Sequence, residues 1–459
     1  MTTQTPQDPA SLATPRGLAA LALPLALSNG LGFFLHYVNR TVLSWSGPEA
    51  LAASLPAGML AWTGQSLFIL TCAYLGTFAA QHHAAREDRE AGAMAWPMFL
   101  VAGAALLVSL ALIPFRHLLA SAFGTEPAVE GKLAELLGWY LAETGPIAAC
   151  MGIAAFCGGL GRTRLVLAFG LAGAVICIGL NYWLVLGGLG VPALGVTGAG
   201  IASLGTSLAM LAAWLVWFFS PALRHQFHTW DARNLDRARI ARFCRYAVPR
   251  GITEILEMTA FVVFTAVVSH LGTDRLAASN LAFSTYLVVL VPVIGFSQGV
   301  AIATGSAVGA GRPELARTAV RSAMLLLVPY IVLLVAAFLL FPAELLAPGR
   351  GNDPEAWQRI LAHAIPVMAC LALMAPADAL QWIWRFAVQG AGDTRWPLVV
   401  LVLLSVVCLA VPIWWVPALA GDQALVWCYL LLAAYVWVVA GAMAWRYYRG
   451  PWATMSVRA

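Results

Sequence analysis

Charge is what this 459-residue sequence has least of: Asp, Glu, Lys and Arg together make up 10% of it, against about 25% in a typical soluble domain. With 61% hydrophobic residues and a mean hydropathy of +0.81, an ordinary water-soluble globule is excluded. Period-2 barrel strands are absent. The eight cysteines, at 72, 150, 157, 177, 244, 370, 408 and 428, form no CxxC or Cys/His ligand spacing, so they read as small core residues rather than metal or redox sites. No basic cluster carries interleaved aromatics, which leaves nucleic acid without a binding surface. The opening stretch MTTQTPQDPASLATPR lacks the basic head of a secretory signal, so the first apolar segment is expected to be retained.

What remains is a succession of apolar runs of about 20 residues or more, each long enough to cross a bilayer as a helix. The expected fold is an all-α integral membrane protein whose main partner is the lipid bilayer. Twelve spans are predicted at 17–43, 51–82, 92–115, 130–158, 164–187, 195–219, 243–270, 277–308, 319–341, 357–388, 396–417 and 421–445. With the N-terminus inside, the inner loops hold about 18 Arg and the outer ones about 6 Lys or Arg, which places both termini in the cytoplasm.

The long polar segment RHQFHTWDARNLDRARIARFCRY, 224–246, divides the chain almost in half. LAAS at 51–54 recurs at 276–279 and Pro24 recurs as Pro249, both at an offset of 225. GLGRTR at 159–164 matches GAGDTR at 390–395, an offset of 231. Two pseudo-symmetric six-helix lobes follow, related by an axis along the membrane normal. The expected organisation is a tail at 1–16, a lobe at 17–222, a cytoplasmic linker at 223–242, a second lobe at 243–448 and a tail at 449–459.

Charges inside a span cost at least about 2.5–3.5 kcal/mol each, so they face a cavity or a partner. Glu254 and Glu257 share a face of helix 7, with Arg250 one turn before Glu254. At 1.5 Å per residue, Glu257 lies about 21 Å along the helix, well inside the bilayer. Asp378, Gln381, Arg385 and Gln389 follow helical spacing and line one face of helix 10. One reading is a hydrated cavity in which Glu257 and Asp378, assisted by Glu254, bind a coupling Na⁺ or proton. The other is a set of structural ion pairs, Arg250 with Glu254 or Arg385 with Asp378. Trp382, beside that stripe, offers an aromatic wall to an organic cation.

The first half is read as lacking an equivalent acid. Asn39 stands on the first helix where one is sought, and Arg40 reads as snorkelling to the outer interface. Asn181, Gln65 and Thr197 are polar groups expected to meet in that lobe, either around a cavity or as helix glue.

Several of these stretches resemble the MATE (multidrug and toxic compound extrusion) family over nearly the whole chain. They are ALPLALSNGLGFFLHYVNRTVLSWSGPEALAAS, GGLGRTR, LNYWLVLGGLGVPALGVTGAGIAS, GAGRPELA and DALQ followed by GAGDTR. The resemblance implies a monomeric inner-membrane antiporter that exports small organic cations in exchange for Na⁺ or H⁺ and needs no cofactor. It implies cation coupling at Glu257 and Asp378, which look like the helix 7 and helix 10 acids of the NorM-type branch. Asn181 matches the family's helix 5 Asn, whereas Asn39 replaces its common helix 1 Asp. An alternative within the related fold is a flippase for lipid-linked oligosaccharide, which would want several arginines in the first-lobe cleft. An intramembrane enzyme is disfavoured by the internal repeat and by the lack of an evident nucleophile or metal cluster.

Overall fold

The computed structural model describes residues 8–121, 126–188, 190–230, 236–350 and 353–458. Parts of the expected N-terminal tail (1–7) and linker (231–235) therefore lie outside the described residues. Among the described residues there is no β-strand beyond one bridge between Gly188 and Val191. Eleven helical stretches among the described residues are long and apolar enough to cross a membrane. The last, Arg395–Arg449, has 55 residues, and at 1.5 Å per residue it far exceeds a hydrocarbon core of about 30 Å. It breaks between Ser405 and Gln423, where a π-helical turn leads into Pro412 and the chain reverses at Gly421. Twelve crossing helices result.

We number them α1 (Pro15–Ser44), α2 (Pro48–Ala84), α3 (Asp88–Ser121), α4 (Pro127–Gly159), α5 (Thr163–Leu186), α6 (Gly195–Phe218), α7 (Arg237–Ser269), α8 (Thr273–Gly309), α9 (Glu314–Leu340), α10 (Pro354–Ala391), α11 (Arg395–Leu404, carried on across the membrane by the π-helical turn Ser405–Ala410 and the short turns after it) and α12 (Ala424–Arg449). Their starts follow local chemistry. Proline opens α1, α2, α4 and α10 at positions where no amide is needed for the helix ladder. Asp353 caps α10 by accepting from the amides of Glu355 (2.9 Å) and Ala356 (3.2 Å), and Asp236 caps α7 through Ala238 (3.1 Å).

The repeat seen in the sequence is carried by backbone geometry. Gly47 before α2 and Gly272 before α8, 225 positions apart, have φ of 128° and 111°. Such angles are open to glycine and strained for residues with a Cβ. The packing is reciprocal as well: α1 lies against α8, and α7 lies against α2. A pseudo-two-fold relation between two six-helix lobes produces that exchange of partners.

The lobes approach closely through small residues. A Cβ on Gly295 would fall 2.4 Å from Ala26, one on Gly251 would fall 2.3 Å from the Leu67 carbonyl, and one on Gly309 would fall 2.1 Å from the Gln81 carbonyl. With no apolar driving force between helices in lipid, such backbone proximity supplies the dispersion contact that holds them. Polar bridges reinforce it toward the end that bears both termini. Tyr74 donates to the Gln389 carbonyl (2.6 Å), Gln81 to the Gly390 carbonyl (2.9 Å), and Asn29 to Gln298 (3.2 Å).

The C-terminal segment completes this junction. Ser456 Oγ and the Val457 amide both donate to Gln81 Oε1 at 3.0 Å. Arg458 pairs with Glu87 beyond α2 and donates to the Gly309 carbonyl of α8 at 3.2 Å, so one side chain spans both lobes. Its guanidinium holds the Glu87 carboxyl below the usual carboxylate range. The same contact raises Arg458 above its ordinary value.

Candidate functional site

Helix α7 presents its acids as the i, i+3, i+4 spacing requires. Arg250 Nη1 donates to Glu254 Oε2 at 3.3 Å, the local pair expected from the sequence, and the Arg250 guanidinium lies 5.5 Å from the Phe386 ring centre. Glu257 instead turns toward α10 and forms an ion pair with Arg385. The expected alternative of Arg385 with Asp378 is therefore not formed: two turns separate them on one helix, and α7 supplies a nearer acid. Arg385 is fully buried, whereas the Glu257 side chain keeps 21% of its surface exposed. Trp382 lies beneath the same guanidinium at 4.6 Å, so its face is covered by an internal cation and is not free as an aromatic wall.

Asp378 has no arginine. Its carboxylate accepts from Tyr286 of α8 (2.6 Å), Gln381 (2.9 Å) and the Trp382 indole (3.1 Å). All three donors are neutral, so none of them supplies a counter-charge. The constellation thus contains three acids, Glu254, Glu257 and Asp378, against two arginines, Arg250 and Arg385, for a net charge of −1 when all are ionised. Arg385 Nε and Nη2, Gln381 Oε1 and Gln389 Nε2 are buried with no protein partner. Such groups are costly unless something polar meets them. The α10 stripe is buried throughout and ends at Gln389, whose carbonyl is held by Tyr74 of the other lobe. The acid constellation and the lobe junction therefore share one helix.

The first lobe differs from expectation. Asn181 donates to the Cys177 carbonyl (2.9 Å) and lies 3.4 Å from its Sγ, and Cys177 in turn reaches Asn39 Oδ1 at 3.8 Å. Gln65 donates to the Tyr140 carbonyl at 2.7 Å. Thr197 does not join them: it bonds Glu135 near the opposite end of α4 from the lobe junction. Nor does this lobe lack an acid. Glu143, on α4, is 6% exposed and accepts from Ser203 (2.5 Å) and Ser207 (3.4 Å) of α6. The signal was a lone carboxylate sixteen residues from either end of a membrane helix, in LAETGPIAAC. Attention to the first helix alone passes over it. Arg40 is exposed. The cysteines are small packing residues as read, six buried and Cys244 and Cys408 half-buried.

Among the described residues no group of three or more His, Cys, Asp or Glu side chains could hold a metal ion. A single carboxylate with neutral donors is chemistry suited to a proton or a weakly held monovalent cation.

Known proteins show the same architecture. The chain is 27% identical over 391 residues to a probable multidrug resistance protein NorM of Neisseria meningitidis, covering 83% of each chain. It is 26% identical to one of Burkholderia pseudomallei, covering 96% of this chain and 94% of that one. A solved MOP superfamily transporter from Pyrococcus furiosus superposes with a TM-score of 0.87 at 18% identity, covering 99% of this chain and all of that one. A multidrug resistance MATE transporter solved in an outward-facing conformation gives 0.85 at 17% identity, covering 98% of this chain and all of that one. The MatE family model matches residues 24–183 and 249–415, one block in each lobe. With its twelve helices in two lobes and that match in both, the chain belongs to the MATE family of membrane transporters.

Proposed function

We propose that this chain is a multidrug efflux antiporter that exports small organic cations in exchange for Na⁺ or H⁺ by alternating access. The relatives named as multidrug resistance proteins support drug export. It works as a monomer in the inner membrane with both termini in the cytoplasm, the lobes being 17–222 and 243–448 joined by 223–242. In that orientation the lobe junction and the Arg458 clamp close the cytoplasmic side.

One observation carries the reading: the buried constellation of the second lobe holds a single acid in excess, and that acid is Asp378. One monovalent cation balances it. Na⁺ or a proton entering from outside occupies Asp378, and the neutralised site lowers the cost of closing the lobe around it. An organic cation arriving from inside meets the same acid, together with the Trp382 face and Glu257 that Arg385 now covers. Substrate and Arg385 thus compete for one aromatic surface and one carboxylate. Because ion and drug cannot both be accommodated, each cycle exchanges one for the other. Glu254, neutralised by Arg250, assists by fixing the α7 face. Asn39, Asn181 and Gln65 line the first-lobe side, while Thr197 stands apart with Glu135. The exposed Arg40 offers no arginine cluster for a pyrophosphate carrier.

The test is efflux of a fluorescent organic cation from proteoliposomes with the Na⁺ and pH gradients imposed separately. Efflux driven by one of them supports antiport and names the ion. Efflux indifferent to both gradients overturns it.

A further inference from the structure

We propose that Glu143 is a second proton-binding site, seated in the first lobe on the seam between α4 and α6 and charged and discharged as the transporter changes state. The proposal rests on reading the chain as an ion-coupled antiporter and adds a residue in the lobe opposite Asp378.

The geometry of the seam points to it. Glu143 is buried at 6% exposure, and both hydroxyls that reach it, Ser203 and Ser207, are neutral. The groups facing it from the packed helices supply no counter-charge. On α2 there is Gln65, a neutral amide that donates to the Tyr140 carbonyl and also faces the Glu143 carboxylate. On α5 there is Cys177, and on α3 the near contacts are Ala102 and Leu106, at Gly145. Tyr140 lies one turn along α4 itself. The cations of this region are engaged elsewhere or stand off: Lys132 pairs with Glu49 at 2.6 Å, Arg116 packs against Gly138, and Arg40 on α1 reaches Tyr140 electrostatically. In the second lobe each α7 acid has an arginine, so Glu143 resembles Asp378 in lacking one.

A buried carboxylate without a counter-ion is relieved most cheaply by taking a proton. Serine hydroxyls suit both forms, donating to a carboxylate and accepting from a carboxylic acid. A hard metal cation wants about six oxygens. Here the carboxylate meets two hydroxyls and the Gln65 amide, and at 2.5 Å from Ser203 there is no room for an ion between them. The seam repeats one step along: Thr197 of α6 meets Glu135 of α4, so two acids on one helix are each met by hydroxyls of the other. Any change in the α4–α6 packing that admits water to the seam releases the proton from Glu143. Closure of the seam restores it.

The test uses purified full-length protein. Infrared difference spectra between high and low pH are recorded for the wild type, Glu143→Gln and the double variant Ser203→Ala/Ser207→Ala, together with proton uptake per molecule. Loss of one protonated-carboxyl band and of about one proton in Glu143→Gln supports the proposal, as does a shift of that band when the serines are removed. The serine variant keeps the acid and guards against a folding defect in the glutamine form. An unchanged band and uptake in Glu143→Gln overturns the proposal, as does titration of the band by Na⁺ at fixed pH. Failure here leaves the second lobe untouched. Efflux indifferent to both the Na⁺ and the pH gradient would defeat the antiport reading while leaving the Glu143 band in place.

Discussion

The Glu257–Arg385 pair invites a double-mutant cycle, because its two partners are buried to different degrees. Arg385 is wholly inaccessible and 21% of the Glu257 side chain remains exposed. Removing one partner of a buried pair costs about 3–5 kcal/mol, chiefly through the stranded charge. The residual exposure of Glu257 places Arg385→Met near the lower end. Glu257→Gln strands the more deeply buried arginine, so it is the costlier change. The double variant, which strands neither, should recover most of the loss and show a coupling of about 2–3 kcal/mol. The surface pair Lys132–Glu49, with side chains 36% and 49% exposed, provides the contrast at under about 1 kcal/mol. Reversible unfolding of detergent-solubilised protein in a denaturant series reads both cycles. Additive effects of Glu257→Gln and Arg385→Met would refute the pairing, and with it the idea that an incoming cation must displace Arg385.

Further expectations follow from named contacts. Tyr286→Phe removes a hydrogen bond to the Asp378 carboxylate worth about 1.5–3 kcal/mol, so the coupling-ion concentration needed for half-maximal efflux should change by at least about tenfold with the protein still folded. Gly309→Val drives a side chain into the Gln81 backbone, so a cysteine probe on the lobe junction should become more reactive from the terminus side. The Arg458 contact depresses the Glu87 carboxyl, so the clamp contributes stability above the usual carboxylate range and loses it as pH falls through the lowered value. Proteolytic release of the C-terminal segment should rise on acidification in the wild type and lose that dependence in Arg458→Ala.

Much of the architecture was legible because membrane helices announce themselves by length and apolarity, and because helix-end glycines keep their register across the repeat. Arg250 with Glu254 was legible for a similar reason, being a contact within one helix. What the sequence concealed is non-local. Glu257 and Arg385 are 128 positions apart, and nothing in either segment says which acid the arginine chooses. Tyr286 is one tyrosine among eleven until α8 packs on α10. Lobe membership alone groups Thr197 with Gln65 and Asn181, whereas depth along the helix assigns it to Glu135. Glu143 was readable in principle, since a carboxylate in mid-span needs a partner wherever it occurs.

In the proposed cycle the coupling ion neutralises Asp378, the one acid of the buried second-lobe constellation without an arginine. Charge displacement on rapid addition of Na⁺ or protons to reconstituted transporter, on a solid-supported membrane, measures that event directly. The account predicts a transient in the wild type and in Glu257→Gln/Arg385→Met, and its loss for the coupling ion in Asp378→Asn, with any contribution of Glu143 identified by adding Glu143→Gln. An undiminished transient in Asp378→Asn/Glu143→Gln would contradict it.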